Sequence, residues 1–304
     1  MKNKLLVLFT FLSIKLFAQD APPQTDIYVF DMLVQHGNVQ VVSPEMITTG
    51  KGYNNQPWFA GDELVYFTTI QEDGQADIML AGWGGQTLNG IDLVKYHPIT
   101  ISKTLKEYSA QVTPNGQHIT CVQVQPDDST QWLVQMNMDG SNSVRLLPNT
   151  NPVGYYCWVD DKNVAAFVLG TPEILVYGNA ITGDVKTIAS NIGRCITKIP
   201  GLDAFSFVDK TDSNDWKIMK YDVATNQITK LIDCAPKSED YAWTPDGTLL
   251  MGSEGKLFSY NSQYDSSWKL VRDFTGTDTE KFYRLMVSAD GKKLAMVVYS
   301  GQKP

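Results

Sequence analysis

The chain has 304 residues, of which 43% are hydrophobic and 19% charged, and its formal net charge is −8. This apolar fraction can build a core, so the composition excludes an intrinsically disordered chain. An acidic chain without a cluster of Lys and Arg also lacks the basic face that nucleic-acid binding requires, so we expect no nucleic-acid partner. Plentiful Gly, Tyr and Trp favour strands and turns over long helices.

Residues 1–18 predict a secretory signal peptide. Lysines at the start are followed by an apolar run from Leu5 to Ile14 and by a small residue, Ala18, a pattern typical of such a leader. A transmembrane anchor is the alternative, but the run is short and Lys15 interrupts it. We therefore expect an exported mature chain, residues 19–304, that is periplasmic, extracellular or at the cell surface and has no membrane span. Its charge without the leader is −11, from 22 basic and 33 acidic residues.

The four cysteines are Cys121, Cys157, Cys195 and Cys234. Export would permit disulfides, and an even count is compatible with them. Their wide spacing and the apolar residues beside them favour buried free thiols instead.

From residue 26 onwards the sequence pattern predicts short strands separated by turns and shows almost no helical periodicity. Apolar or alternating runs recur between Gly, Pro, Asn and Asp residues. Three turns are of one type, with Asn-Gly or Asp-Gly at the end, which is a strong indication of a tight turn. They are Thr113-Pro114-Asn115-Gly116, Thr244-Pro245-Asp246-Gly247 and Ser288-Ala289-Asp290-Gly291.

The spacing of these turns reveals a repeat. Gly247 and Gly291 are 44 residues apart, and Gly116 precedes Gly247 by 131, close to three such periods. Repeats of this length with several strands each are typical of propeller blades or solenoid units. The last unit lacks its outer strands, and residues 26–42 resemble the missing ones, as a closed ring requires. We predict an all-β fold: one domain over residues 19–304, a six-bladed β-propeller of four-stranded blades closed by the N-terminal strands.

Local motifs carry a family resemblance. The segments Asn54-Asn55-Gln56-Pro57-Trp58-Phe59 and Gln75-Ala76-Asp77-Ile78, with the recurrent Pro-Asp-Gly turns, resemble the WD-like propeller repeats of the TolB family. The resemblance covers residues 26–299 and implies the propeller fold of an exported bacterial protein. TolB itself carries an additional α/β domain before its propeller, which the seven residues 19–25 are too few to form.

No motif predicts a catalytic residue, a cofactor or a metal site. The three histidines, His36, His97 and His118, do not form a zinc motif, and no nucleophile elbow, phosphate loop or dinucleotide fingerprint occurs. The acidic segment 209–215 has oxygens that suit Ca²⁺, but Asp and Asn are equally typical of a hairpin turn. We expect the hairpin.

Aromatic residues provide the candidate binding surface. Trp58, Trp158 and Trp243 are predicted to pack between sheets. Five tyrosines enter the innermost strands, three of them eight residues before a turn glycine, and a ring of them at the channel mouth can bind a ligand by stacking and hydrogen bonding. This candidate ligand-binding rim consists of Tyr53, Tyr108, Tyr155, Tyr241 and Tyr283. The alternative, simple packing at the rim, is favoured by the usual behaviour of surface tyrosines.

These features favour a binding or scaffold module, monomeric by itself, that engages another envelope or extracellular protein. The alternative is an enzyme that acts on a glycan or other extracellular polymer through two carboxylates in the channel. A third hypothesis is a structural accessory of a larger surface assembly.

Overall fold

A computed structural model of the chain describes residues 22–48, 52–61, 63–82, 87–88, 91–92 and 97–300. The predicted signal peptide lies outside these residues. Within them the chain is all-β, as the sequence predicts, and no helix is long and apolar enough to cross a bilayer.

The strands are short and follow one another closely. The first eight are β1 (Thr25–Gln35), β2 (Asn38–Met46), β3 (Tyr53–Gly61), β4 (Leu64–Ile70), β5 (Ala76–Gly82), β6 (Thr87–Leu88), β7 (Ile91–Asp92) and β8 (His97–Pro98). The next eight are β9 (Lys106–Val112), β10 (Ile119–Val124), β11 (Gln131–Met136), β12 (Val144–Arg145), β13 (Val153–Trp158), β14 (Asn163–Val168), β15 (Ile174–Asn179) and β16 (Val185–Ser190). The last ten are β17 (Ile192–Lys198), β18 (Ala204–Asp209), β19 (Lys217–Asp222), β20 (Gln227–Asp233), β21 (Tyr241–Trp243), β22 (Leu249–Ser253), β23 (Lys256–Tyr260), β24 (Lys269–Asp273), β25 (Phe282–Val287) and β26 (Lys293–Tyr299).

Four sheets each consist of four consecutive antiparallel strands, namely β9–β12, β13–β16, β17–β20 and β21–β24. The turn after the first strand carries the predicted glycine, which adopts a left-handed conformation with φ of +72° at Gly116 and +81° at Gly247. Glycine has no Cβ to clash in this conformation, which is why the turn recurs as Asn-Gly or Asp-Gly.

The remaining long sheet joins the two ends of the chain. Its order is β25-β26-β1-β3-β4-β5-β8, with β2 paired to β1. Strand β1 runs antiparallel to β26 from Thr25 opposite Tyr299 to Asp31 opposite Lys293. By contrast, β1 meets β3 at a single residue pair, Thr25 with Tyr53. The sheet therefore consists of two four-stranded halves, and one half combines the first two strands with the last two.

The core lies between neighbouring sheets. Ile78 and Leu80 of one sheet pack with Ile119 and Cys121 of the next in one buried cluster. Another cluster joins the N-terminal and C-terminal strands to β4, since it contains Ile27 and Val297 together with Val65, Phe67 and their neighbours. The four cysteines are free thiols, of which Cys121 and Cys157 are buried.

Hydrogen bonds between sheets repeat along with the packing. The Thr120 hydroxyl oxygen accepts from Tyr156 Oη at 2.9 Å and from Trp158 Nε1 at 3.1 Å. Ser206 Oγ accepts at 2.9 Å from Tyr241 Oη and from Trp243 Nε1. In both cases a hydroxyl on the second strand of one sheet satisfies two aromatic donors on the first strand of the next.

A buried carboxyl pair between β5 and β9 makes the fold sensitive to pH. Glu107 is 2% exposed and Asp77 3%, and one oxygen of each lacks a hydrogen-bond partner among the described residues. Burial raises the pKa of Glu107 to about 7, and the neighbouring Asp77 contributes to the rise. Between the ordinary carboxyl pKa and 7 the folded chain therefore binds more protons than the unfolded chain, so this group lowers stability as the pH increases.

We expect Glu107→Gln to be more stable than the natural protein at pH 8 by about 1–3 kcal/mol, with most of the difference gone at pH 5. Thermal unfolding at both pH values measures this effect. Glu72→Gln, at an exposed position, is the matched control. A difference between E107Q and the natural protein that does not change with pH would contradict the expectation.

Candidate functional site

A cavity of about 120 Å³ lies where the first strands of the sheets approach one another. Strands β3, β9, β13, β17, β21 and β25 all contribute side chains to its wall, or do so through the residue directly before the strand. A second cavity of about 170 Å³ shares part of this wall and is lined by Trp58, Trp158 and Trp243. The three tryptophans thus lie between sheets and also border this central space.

Three charged residues line the first cavity: Arg194, Asp240 and Arg284. Arg194 donates two hydrogen bonds to the Asp240 carboxylate. Its Nε lies 3.2 Å from Oδ1, and its Nη2 donates to Oδ2. Arg284 Nε lies 3.8 Å from the same Oδ1. One carboxylate therefore serves two guanidinium groups, and the wall has a formal charge of +1.

An ion pair next to the cavity, between Glu239 and Lys210, contacts the backbone of Arg194. Glu239 accepts a hydrogen bond from the backbone N–H of Arg194 at 3.2 Å and pairs with Lys210 at 3.3 Å. Glu239 Oε1 also lies 3.8 Å from Arg194 Nε, so the cluster of Arg194, Arg284, Lys210, Asp240 and Glu239 has a formal charge of +1.

Arg284 is the more enclosed of the two arginines, with a side chain 13% exposed compared with 32% for Arg194. Its Nη1 donates to Asn55 Oδ1 at 3.1 Å, and its Cζ lies 5.4 Å from the Tyr155 ring centroid. Burial opposes the charge, but nearby Tyr155 and Asp240 more than offset it and raise the pKa of Arg284. The group is therefore a permanent cation.

Two polar atoms in the wall have no hydrogen-bond partner in the described part of the chain. They are Ser109 Oγ and Gln111 Oε1, and both residues are 9% exposed. The Gln111 amide nitrogen is anchored on the Tyr156 carbonyl at 2.8 Å, which fixes the orientation of the free oxygen. Buried polar groups without a partner are uncommon, so their presence in a cavity wall points to a ligand or to bound water.

Four of the five predicted tyrosines lie near one another around this charged cluster. Burial raises the pKa of the Tyr53 hydroxyl; Arg284 opposes the rise, and the phenols of Tyr155, Tyr283 and Tyr108 add to it. The Tyr283 hydroxyl accepts a hydrogen bond from Asn55 Nδ2, and its ring stacks on Tyr299 with centroids 4.6 Å apart.

Tyr241 lines the first cavity, as Tyr155 does, but in a buried position instead of at a rim. It is 1% exposed, and its hydroxyl donates to Ser206 between two sheets. Its counterpart in the repeat is Tyr156, which is bound in the same way to Thr120, and not Tyr155. Tyr155 corresponds instead to Asp240, one residue earlier, so the two predicted tyrosines occupy different positions in the repeat.

The three charged residues were not predicted from the sequence, although their shared position in the repeat could have indicated them. Arg194, Asp240 and Arg284 each lie seven residues before a turn glycine, Gly201, Gly247 and Gly291 respectively, and Ser109 lies seven before Gly116. The tyrosine column chosen from the sequence lies eight residues before the glycine. A column of unlike polar residues at a single position in a repeat could have identified this layer.

The acidic segment 209–215 has the features of a turn. Asp209 Oδ1 accepts the backbone N–H of Thr211, and Asp212 Oδ1 accepts that of Asn214. Over the described ranges, no group of three or more His, Cys, Asp or Glu side chains is arranged to hold a metal ion.

No family model matches the chain, and no curated protein sequence matches it. Several solved structures are similar to the chain. A TolB-like protein from Agrobacterium tumefaciens aligns with a TM-score of 0.65 at 12% identity, covering 92% of this chain and 99% of that one. TolB from Acinetobacter baumannii aligns with a TM-score of 0.56 at 11% identity, over 92% of this chain and 65% of the other.

The structure of an enzyme is also similar to this chain, at a comparable TM-score and sequence identity. Oligogalacturonate lyase from Vibrio parahaemolyticus aligns with a TM-score of 0.53 at 13% identity, over 86% of this chain and 84% of that one. At these identities the similarities establish a β-propeller fold and no shared activity, because one fold serves many functions.

Proposed function

We propose that the chain is an exported six-bladed β-propeller that binds a segment of another envelope or extracellular protein in its central cavity. Residues 1–18 support export. The first strands around the cavity, together with the pairing of β1 and β26, support a ring of six four-stranded blades closed by the N-terminal strand.

The observation that carries the proposal is the wall of the first cavity. It combines unpartnered polar groups at Ser109 and Gln111 with a fixed cation at Arg284. Pre-formed cavities with a few oriented polar groups are typical of ligand sites. Such groups cost free energy when they lack a partner, and a bound segment would supply one.

An enzyme with paired carboxylates is less well supported. Asp240 is the one carboxylate among the described residues of the cavity wall, and both arginines engage it. General acid–base cleavage of a glycan requires two carboxyl groups on either side of the bond.

Site-specific photo-crosslinking tests the proposal. p-Benzoyl-phenylalanine in place of Tyr155, which lines the cavity, is expected to trap one partner protein from an envelope or culture-medium extract. The same group in place of Tyr264, which is 51% exposed outside the cavity, is the matched control and should not trap it. Equal capture from both positions, or none from position 155, would contradict a central binding site.

A further inference from the structure

We infer that the cavity binds the carboxylate of a peptide segment, with Arg284 as its charged partner. This inference rests on the proposed function and names the chemistry of the bound group. Its first support is charge: the wall of the first cavity carries a formal +1 within a chain of net charge −8. A local excess of one sign in a cleft attracts a ligand of the opposite sign.

The second support is the donor inventory. A guanidinium has five N–H donors. Within the described residues, Arg284 uses one of these donors, in its hydrogen bond to Asn55. Asp240 already accepts hydrogen bonds from two nitrogens of Arg194. Its Oδ1 lies 3.8 Å from Arg284 Nε, beyond hydrogen-bond distance. Arg284 therefore has donors left for an incoming carboxylate, and the Ser109 hydroxyl can add one more.

The third support distinguishes a peptide from a bare anion. Gln111 Oε1 is an unpartnered acceptor in the same wall, and it needs an N–H or O–H donor, which a fully ionised inorganic anion lacks. A peptide offers an amide N–H close to the carboxylate of Asp, Glu or a chain end. Apolar side chains, among them Pro57, Leu285 and Met286, complete the wall and suit the body of a residue better than a hydroxyl-rich sugar.

Degenerate peptide pools test the inference on the immobilised full-length mature protein. One hexapeptide pool is acetylated and amidated with Glu at a fixed internal position, the second has Gln there, and the third has Gln and a free C-terminal carboxylate. We expect retention of one or both carboxylate pools to exceed that of the amidated Gln pool by about tenfold or more at low salt. High salt should reduce the excess. The two carboxylate pools separate a side-chain source from a chain end.

Variants connect the effect to the cavity. Arg284→Gln should abolish the preference for the carboxylate pools, whereas Arg145→Gln, which removes the same charge from the exposed strand β12, should leave it unchanged. Asp240→Asn keeps the shape of the side chain and removes the competing negative charge, so it should increase retention of the carboxylate pools several-fold. Damage to the fold cannot produce an increase that is limited to the carboxylate pools, so D240N keeps the test decisive if R284Q does not fold.

The outcomes separate the inference from the proposed function. Equal retention of all pools would overturn the carboxylate and leave peptide binding intact. Retention of trigalacturonate but of no peptide pool, lost in R284Q, would overturn the peptide and the proposed function while the carboxylate preference stands. If the protein retains neither peptides nor trigalacturonate, both fail.

Discussion

Removal of residues 1–43 is expected to yield insoluble protein, or protein that melts more than about 10 °C below a chain that lacks only residues 1–21. The longer deletion removes β1, whose Ile27 and Phe30 are fully buried and whose backbone pairs with β26. Strand β26 would then present unpaired N–H and C=O groups and an apolar face, which favours aggregation. Solubility and thermal unfolding of the two truncated chains measure the effect.

The shorter deletion is the control because it leaves β1 intact. A simple terminal extension tolerates removal with little loss of stability. If both chains are soluble and melt alike, β1 does not complete the sheet of β25 and β26, and an open array of sheets becomes the better description.

Ser206→Ala is expected to destabilise the protein by about 2–4 kcal/mol. The substitution removes the acceptor shared by the buried Tyr241 Oη and the half-buried Trp243 Nε1, and it also removes the hydroxyl partner of Thr197 Oγ1. Denaturant unfolding measures the loss, and Ser213→Ala in an exposed turn is the matched control.

A second substitution identifies the cause. If the cost arises from unpaired donors, adding Tyr241→Phe to S206A removes one of them and should recover part of the lost stability. A double variant that is less stable than S206A by the full cost of Y241F alone would instead mean that the two side chains act independently.

The fold was largely predictable because its determinants are local and repeated. Asn-Gly and Asp-Gly turns need left-handed glycines, and the structure has them at Gly116, Gly247 and Gly291. Apolar strands between such turns must bury their faces against neighbours, and this requirement indicates stacked sheets.

The site was less predictable because it is not repeated. The position seven residues before the turn glycine holds a different polar residue from one sheet to the next, as Ser109, Arg194, Asp240 and Arg284 illustrate, and no motif links them. Register adds a further difficulty, because β3 is irregular between Asn55 and Trp58. Asn55, the partner of Arg284, consequently lies six residues before Gly61 rather than seven. A shift of one residue also gives Tyr241 a buried position in the cavity wall, bonded between two sheets, instead of a place at a rim.

The most direct test of the central claim is a crystal structure of the protein with the peptide that the carboxylate pools select. We expect electron density for the peptide in the central cavity, with a carboxylate oxygen within hydrogen-bond distance of the Arg284 guanidinium and an amide N–H on Gln111 Oε1. A peptide bound along an outer strand, with the cavity unchanged, would contradict it.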